Sequence, residues 1–288
     1  MRSIVKLHVV KPRPRVTSLP ANQVSGEQIA DMMRRVVELD KDRTANKLRS
    51  YVRAAYQTAK AARSKASIPL RFKAYHVTHN PAADTEPDES ANRADKNPLS
   101  VQEPRSYWQA IMGMDGFKGA VLRLHLLTGG QRIEQLVNLR TADIAEGAIT
   151  LYDGKGRPGK PARPHTIPLI PEAAAALLAC QPRGTHAIST DGGNTHLAAT
   201  TLSAWAVEAA AGIDGFQTKR IRSGVETLLA SARVSSDIRG RLQSHGIAGV
   251  QARHYDGYDY LDEKREALAL LLHLLQEQSA NVVHIKTA

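Results

Sequence analysis

The chain has 288 residues, 42% of them hydrophobic, and a single cysteine, which excludes an internal disulfide framework and fits a reducing compartment. Lysine and arginine outnumber aspartate and glutamate 39 to 28, a formal net charge of +11 that suits a polyanionic partner. No run of about 18 apolar residues occurs, so neither a membrane span nor a signal peptide is expected, and a cytoplasmic, nucleoid-associated protein is the expectation.

Pro12 and Pro14 break the first segment, after which Ser25-Gly26-Glu27-Gln28 has the form of a capping box opening a helix. Its apolar residues, Ile29, Met32, Met33, Val36 and Val37, follow at helical spacing. A second helix is expected over about 43–63, with Leu48, Val52, Ala55 and Ala59 as one stripe and Lys47, Arg49, Arg53 and Lys60 among the basic residues on the rest. Those four cations are candidates for lying along a phosphate backbone; a solvated face is the competing reading. The Pro-, Asp- and Asn-rich stretch after them reads as a linker, 81–98, between a small helical domain, 1–80, and a larger one, 99–288.

The larger domain opens on a second capping box, Ser100-Val101-Gln102-Glu103, and a helix through Tyr107, Trp108 and Ile111. A further helix, about 118–127, leads into Thr128-Gly129-Gly130. Another follows with Ile133, Leu136, Val137 and Leu139. Then the period changes: 148–152 and 165–169 alternate as strands around the turn chemistry of 153–159, a hairpin with a long basic loop. The remainder reads as helices over about 171–180, 197–211, 217–232, 236–244 and 262–277. The fold class is therefore mainly α with a small β-hairpin or sheet, an α+β arrangement. Cys180 closes an alanine-rich helix and carries no expected chemistry.

Several fragments carry chemistry only when taken in order. Thr128-Gly129-Gly130-Gln131-Arg132-Ile133-Glu134 supplies one arginine, and Lys219-Arg220-Ile221-Arg222 another. Lys155 sits in a Gly-Lys-Gly turn, with Lys160 as a rival. Leu242-Gln243-Ser244-His245 precedes Arg253-His254-Tyr255. Transesterification at a phosphodiester needs a nucleophile, cations for the non-bridging oxygens and a proton donor for the leaving oxygen. A tyrosine phenol meets the first need, because its phosphate ester keeps the bond energy for rejoining. Arginine meets the second, since its planar fork matches two phosphate oxygens. Singly, each residue has a plainer reading: Arg222 paired with Glu226 one turn on, His245 at a helix end, Tyr255 as one of three packing tyrosines with Tyr258 and Tyr260. His165, His186, His196 and His254 lack metal-ligand spacing, and neither a metal nor another cofactor is expected.

In that order, the larger domain resembles the catalytic domain of the tyrosine recombinase (phage integrase) family over residues 100–275. The family's first box, TGxRxxExxxL, resembles residues 128–139 with one residue inserted before Arg132. Its hairpin lysine falls on Lys155, followed by Ile167-Pro168-Leu169. Its HxxR falls on residues 219–222, its Leu-Gly-His on 242–245, and its nucleophile on Tyr255. Residues 20–80 resemble, more loosely, the helical core-binding domain that clamps DNA.

The resemblance implies a site-specific recombinase that joins Tyr255 to a DNA 3′-phosphate. Arg132 and Arg222 would grip the phosphate, His245 would add a hydrogen bond, and Lys155 would protonate the leaving 5′-oxygen. Lys219 stands where the family has histidine; an ammonium holds phosphate but accepts a proton poorly. The implied partners are a double-stranded attachment site and three further copies of the chain, a homotetramer linked by the apolar C-terminal helix with Leu268, Ala269, Leu271, Leu272, Leu274 and Leu275. Packing of that helix on its own core is the alternative. The N-terminus looks short for an integrase with an arm-binding domain. Two other functions stay open: a catalytically impaired DNA-binding accessory protein, and a type IB topoisomerase.

Overall fold

The computed structural model describes residues 2–92, 97–154, 161–245 and 258–277. Two compact units, Met1–Asp95 and Lys96–Ala288, divide the chain.

The first unit is built on an antiparallel-type pairing of two helices, α1 (Gly26–Val37) and α2 (Asp42–Ala61). The capping box is present: Ser25 Oγ accepts from Gln28 N, and Gln28 Oε1 accepts from Ser25 N. Met32, Val36, Ala45 and Leu48 form a small core with Val9 from the preceding turns. The first half of the stretch expected to link the units folds back along α2. Asn80, Ala82 and Thr85 are buried. Asn46 donates to the Asp88 carbonyl (2.6 Å) and accepts from its N–H (2.9 Å), while Asn80 donates to the Arg53 carbonyl. Polar composition did not keep this segment off the domain, because its backbone groups found side-chain partners on the helix.

The same strap decides the fate of one basic candidate. Arg49 Nε donates to the carbonyl (3.0 Å) and hydroxyl (2.9 Å) of Thr85. Its guanidinium braces the strap, whereas Lys47, Arg53 and Lys60 are exposed along α2.

The second unit contains α3 (Glu103–Met112), α4 (Gly116–Leu127) and α5 (Ile133–Val137). A sheet follows, with β1 (Ile144–Ala145), β2 (Ala148–Asp153) and β3 (Arg163–Pro168) in that order, antiparallel throughout. Ile149 faces Ile167 in the β2–β3 ladder, so the alternation read from sequence sets the register. The two-residue strand β1 was not expected; it is too short to carry a period. Helices α6 (Pro171–Ala179), α7 (Ala199–Ala209), α8 (Lys219–Ser231), α9 (Ser236–Leu242) and α10 (Leu261–Gln276) complete the unit.

Helix α4 is the centre of the core. Ala120, Val121, Leu122, Leu124, Leu126 and Leu127 are all buried, the pattern of a helix covered on every side. Helix α10 packs against α8, α9, α3 and β3. Ala267, Leu268, Leu271, Leu272 and Leu275 are buried there, in the unit's own core. The apolar stripe expected to dock on a neighbouring copy is thus covered within the chain; its leucines are what holds α10 to the domain. Ala269, on the opposite side, is exposed.

Candidate active site

The turn after α4 brings the first arginine into place. Thr128 Oγ1 donates to the Leu124 carbonyl, and Gly129 and Gly130 both adopt left-handed backbone (φ 86° and 64°). The residue inserted in the TGxR-like box is thereby accommodated as a double-glycine turn. A Cβ on Gly130 would lie 3.0 Å from Arg222 Cα, so the turn and the start of α8 pack backbone to backbone. Replacing Gly130 with alanine combines a left-handed non-glycine residue with this crowding. We expect a loss of about 2 kcal/mol. A thermal melt should read that as a midpoint lower by roughly 4–8 °C; an unchanged midpoint would show the turn to be pliable.

That contact is why two arginines some ninety positions apart share a site. Arg132, Lys219 and Arg222 line one cavity of about 550 Å³ together with Gln131, Ser203 and Thr218. Arg132 immediately precedes α5, and its Nη1 donates to Asp153 Oδ2 at 3.0 Å. Lys219 is the exposed first residue of α8. Arg222 is one turn further in. Its Nη1 reaches the Gly130 carbonyl at 3.5 Å, and its Nη2 is buried without a hydrogen-bond partner among the described residues. The alternative pairing with Glu226 is not formed; one oxygen of that carboxylate accepts from Arg239 Nε at 2.8 Å. Burial first, and then repulsion from Arg132, pull the Arg222 guanidinium down to about 10, with Asp153 and Glu226 acting in the opposite sense. It remains protonated at neutral pH. Two close cations, one with an unmatched donor, make a cavity suited to an oxyanion.

His245 is exposed just past α9 and does not line the cavity; it is tied to it through Gln243. His245 Nε2 and Gln243 Oε1 lie 2.9 Å apart, and Gln243 Nε2 donates to the carbonyls of Arg222 (2.8 Å) and Gly129 (3.1 Å). Gln131 works in parallel, donating to the Thr128 and Leu242 carbonyls. Both glutamines are almost wholly buried. Neither was assigned a role from sequence, where a buried glutamine has no distinguishing period. Lys155 and Tyr255 lie outside the described residues. The rival tyrosines have packing contacts: the Tyr260 ring lies under the Arg241 guanidinium (3.7 Å) and against Tyr258. Among the described residues no group of three His, Cys, Asp or Glu side chains is placed to hold a metal.

Two histidines support the site from beneath. His125 and His165 are buried, and each places Nε2 about 3 Å from a carbonyl, of Gln131 and Leu242 respectively. A carbonyl only accepts, so both rings carry their proton on Nε2. Burial first pushes each imidazole down to about 4. The folded state therefore holds both rings neutral, while the unfolded chain protonates them near pH 6.5. Their contribution is complete above pH 6.5 and is lost as pH falls towards 4. At pH 5 the loss is roughly 2 kcal/mol per ring. Thermal midpoints should drop steeply between pH 7 and 5, and His165→Gln should flatten the profile; a flat wild-type profile contradicts this account.

No family model and no curated protein sequence matches the chain. Among solved structures it is similar to lambda integrase (residues 75–356) bound to DNA, with 20% identity, TM-score 0.58, and 90% of this chain and 92% of that one covered. The Tn1549 transposon integrase (residues 82–397) in complex with circular intermediate DNA gives 17% identity, TM-score 0.57 and coverage of 91% and 92%. A lambda integrase tetramer bound to a Holliday junction gives 20%, 0.58, 85% and 72%. The chain has the fold of these integrases, the tyrosine recombinase fold.

Proposed function

We propose that this chain is a site-specific DNA recombinase, an integrase that cuts and rejoins duplex DNA through a 3′-phosphotyrosyl intermediate on Tyr255. The observation that carries the reading is the convergence of Arg132, Lys219 and Arg222 on one cavity, with a buried arginine nitrogen left for an anion. The order of the remaining residues in the chain and the integrase fold support it.

The scissile phosphate binds between Arg132 and Arg222, whose guanidinium groups take up the charge that builds on the non-bridging oxygens. The Tyr255 hydroxyl gives its proton to solvent as its oxygen attacks phosphorus, and the bond to the 5′-oxygen breaks. Lys155 gives that oxygen its proton. His245, held by Gln243, adds a hydrogen bond to the phosphate. Lys219 adds positive charge at the cavity wall, where a histidine would also take the tyrosine's proton. In the second half of the cycle a 5′-hydroxyl attacks the phosphotyrosyl phosphorus and releases Tyr255. Bond number is conserved, so neither nucleotide hydrolysis nor a metal is required. Lys47, Arg53 and Lys60 on the first unit contact backbone phosphates, with a small effect each and a shared salt dependence. The neighbours that are dimers and tetramers on DNA suggest that four copies act together on two duplexes.

A nicked duplex carrying the attachment site traps the intermediate, because the short 5′-fragment diffuses away. A covalent protein–DNA species that disappears in Tyr255→Phe supports the reading. Tight binding with no such species favours a DNA-binding accessory protein, the alternative that Lys219 motivates. Relaxation of a supercoiled plasmid lacking the site favours a topoisomerase.

A further inference from the structure

Asp153, the last residue of β2, is 5% exposed and stands at the meeting point of four chain segments. Its Oδ2 accepts from Arg132 Nη1 and from Ser244 Oγ, both at 3.0 Å, and its Oδ1 accepts from Gln135 Nε2 at 2.9 Å. Arg163 at the start of β3 lies 3.8 Å from the carboxylate and donates to the Ser244 hydroxyl at 2.7 Å. The hydroxyl of Ser244 is thus oriented from both sides. Ser244 itself is buried and holds a left-handed backbone (φ 52°), a conformation that persists in a non-glycine residue only when its surroundings enforce it.

We propose that Asp153 is a positioning residue of the phosphate site. It fixes the fork of Arg132 by one nitrogen, Nη1, and leaves Nη2 and Nε for the incoming phosphate. It offsets part of the charge repulsion between Arg132 and Arg222. Through Ser244 it also anchors the chain immediately before His245, from which the segment carrying Tyr255 continues. The inference rests on the proposed strand-cleaving reading for the last of these effects; the hold on Arg132 is independent of it.

Asp153→Asn keeps the size of the side chain but turns one acceptor into a donor facing Arg132, Gln135 or Ser244. Two measurements on the full chain test the proposal. The first is labelling of individual arginines by phenylglyoxal, followed by peptide mass spectrometry. Arg132 should react several-fold faster in the variant. Arg220, buried against Glu103 and the Asn97 carbonyl, reports on general loosening and should not change. The second is single-turnover adduct formation against DNA affinity. The rate should fall about 100-fold, as for a catalytic group displaced by an ångström, with affinity within roughly threefold. Ser244→Ala, which keeps the carboxylate, should move both readouts in the same direction by less. Unchanged Arg132 labelling overturns the proposal. So does a variant in which Arg220 labelling rises and rate and affinity fall together, since that is a merely structural residue. If the wild-type chain forms no adduct, the recombinase reading fails, and Arg132 labelling alone decides the role of Asp153.

Discussion

Arg222→Gln is expected to slow covalent adduct formation about 100- to 1,000-fold while leaving the thermal midpoint unchanged or raised. The first half follows from the role of one charged donor at a developing oxyanion. The second half follows from the site itself. Arg222 pays for its burial with an unpartnered Nη2 and faces Arg132 without a partner carboxylate of its own, so its charge opposes folding. Glutamine removes that charge. A residue kept at a cost to stability is one that chemistry requires. Single-turnover kinetics and a melt on the same preparation check both halves. Loss of stability in step with loss of rate would make Arg222 a structural residue.

Two positions earlier the opposite result is expected. Arg220→Ala should cost about 2–3 kcal/mol, since a buried guanidinium with several carbonyl partners is lost together with its pairing to the partly exposed Glu103. Arg220 is 5% exposed; it donates to the carbonyls of Asn97, Asp214 and Pro98 and lies 3.4 Å from Glu103. Its loss removes the side chain that ties the start of the second unit, at Asn97 and Pro98, to Asp214. The midpoint should fall by roughly 4–12 °C, and the rate measured well below that midpoint should change little. A stable Arg220→Ala variant, or one that melts normally and no longer cleaves, would contradict the division of labour within Lys219-Arg220-Ile221-Arg222.

That division was legible only through the HxxR resemblance, which singled out Lys219 and Arg222 and left Arg220 without a role. Lys219, Arg220 and Arg222 are three cations in four residues, and helical phase alone does not say which one faces the core. What was legible is periodic or punctuated. The capping box at Ser25 set a helix start, the Ser100–Glu103 pair formed its bonds with Ser100 two residues ahead of the N-cap of a helix that begins at Glu103, alternation in 148–152 and 165–169 set the sheet register, and the glycines at 129 and 130 marked the turn before Arg132. The unread parts depend on contacts between distant segments. Asp153 looks like a turn residue beside Gly154, and only the fold brings it to Arg132 and Ser244. Gln243 gains its role from the carbonyls of Gly129 and Arg222. Arg49 resembled a DNA-facing cation until the polar strap at Thr85 took it. The leucines of α10 read as a docking face with core packing as the alternative, and four of them are buried within the unit.

The nucleophile is the centre of the functional account. The most direct measurement is mass spectrometry of the protein–DNA adduct trapped on a nicked attachment site, after digestion of both components. A residual phosphonucleotide is expected on the peptide carrying Tyr255, with Tyr258 and Tyr260 unmodified. DNA attached to any other residue, or cleaved DNA ends with no protein attached, would contradict it.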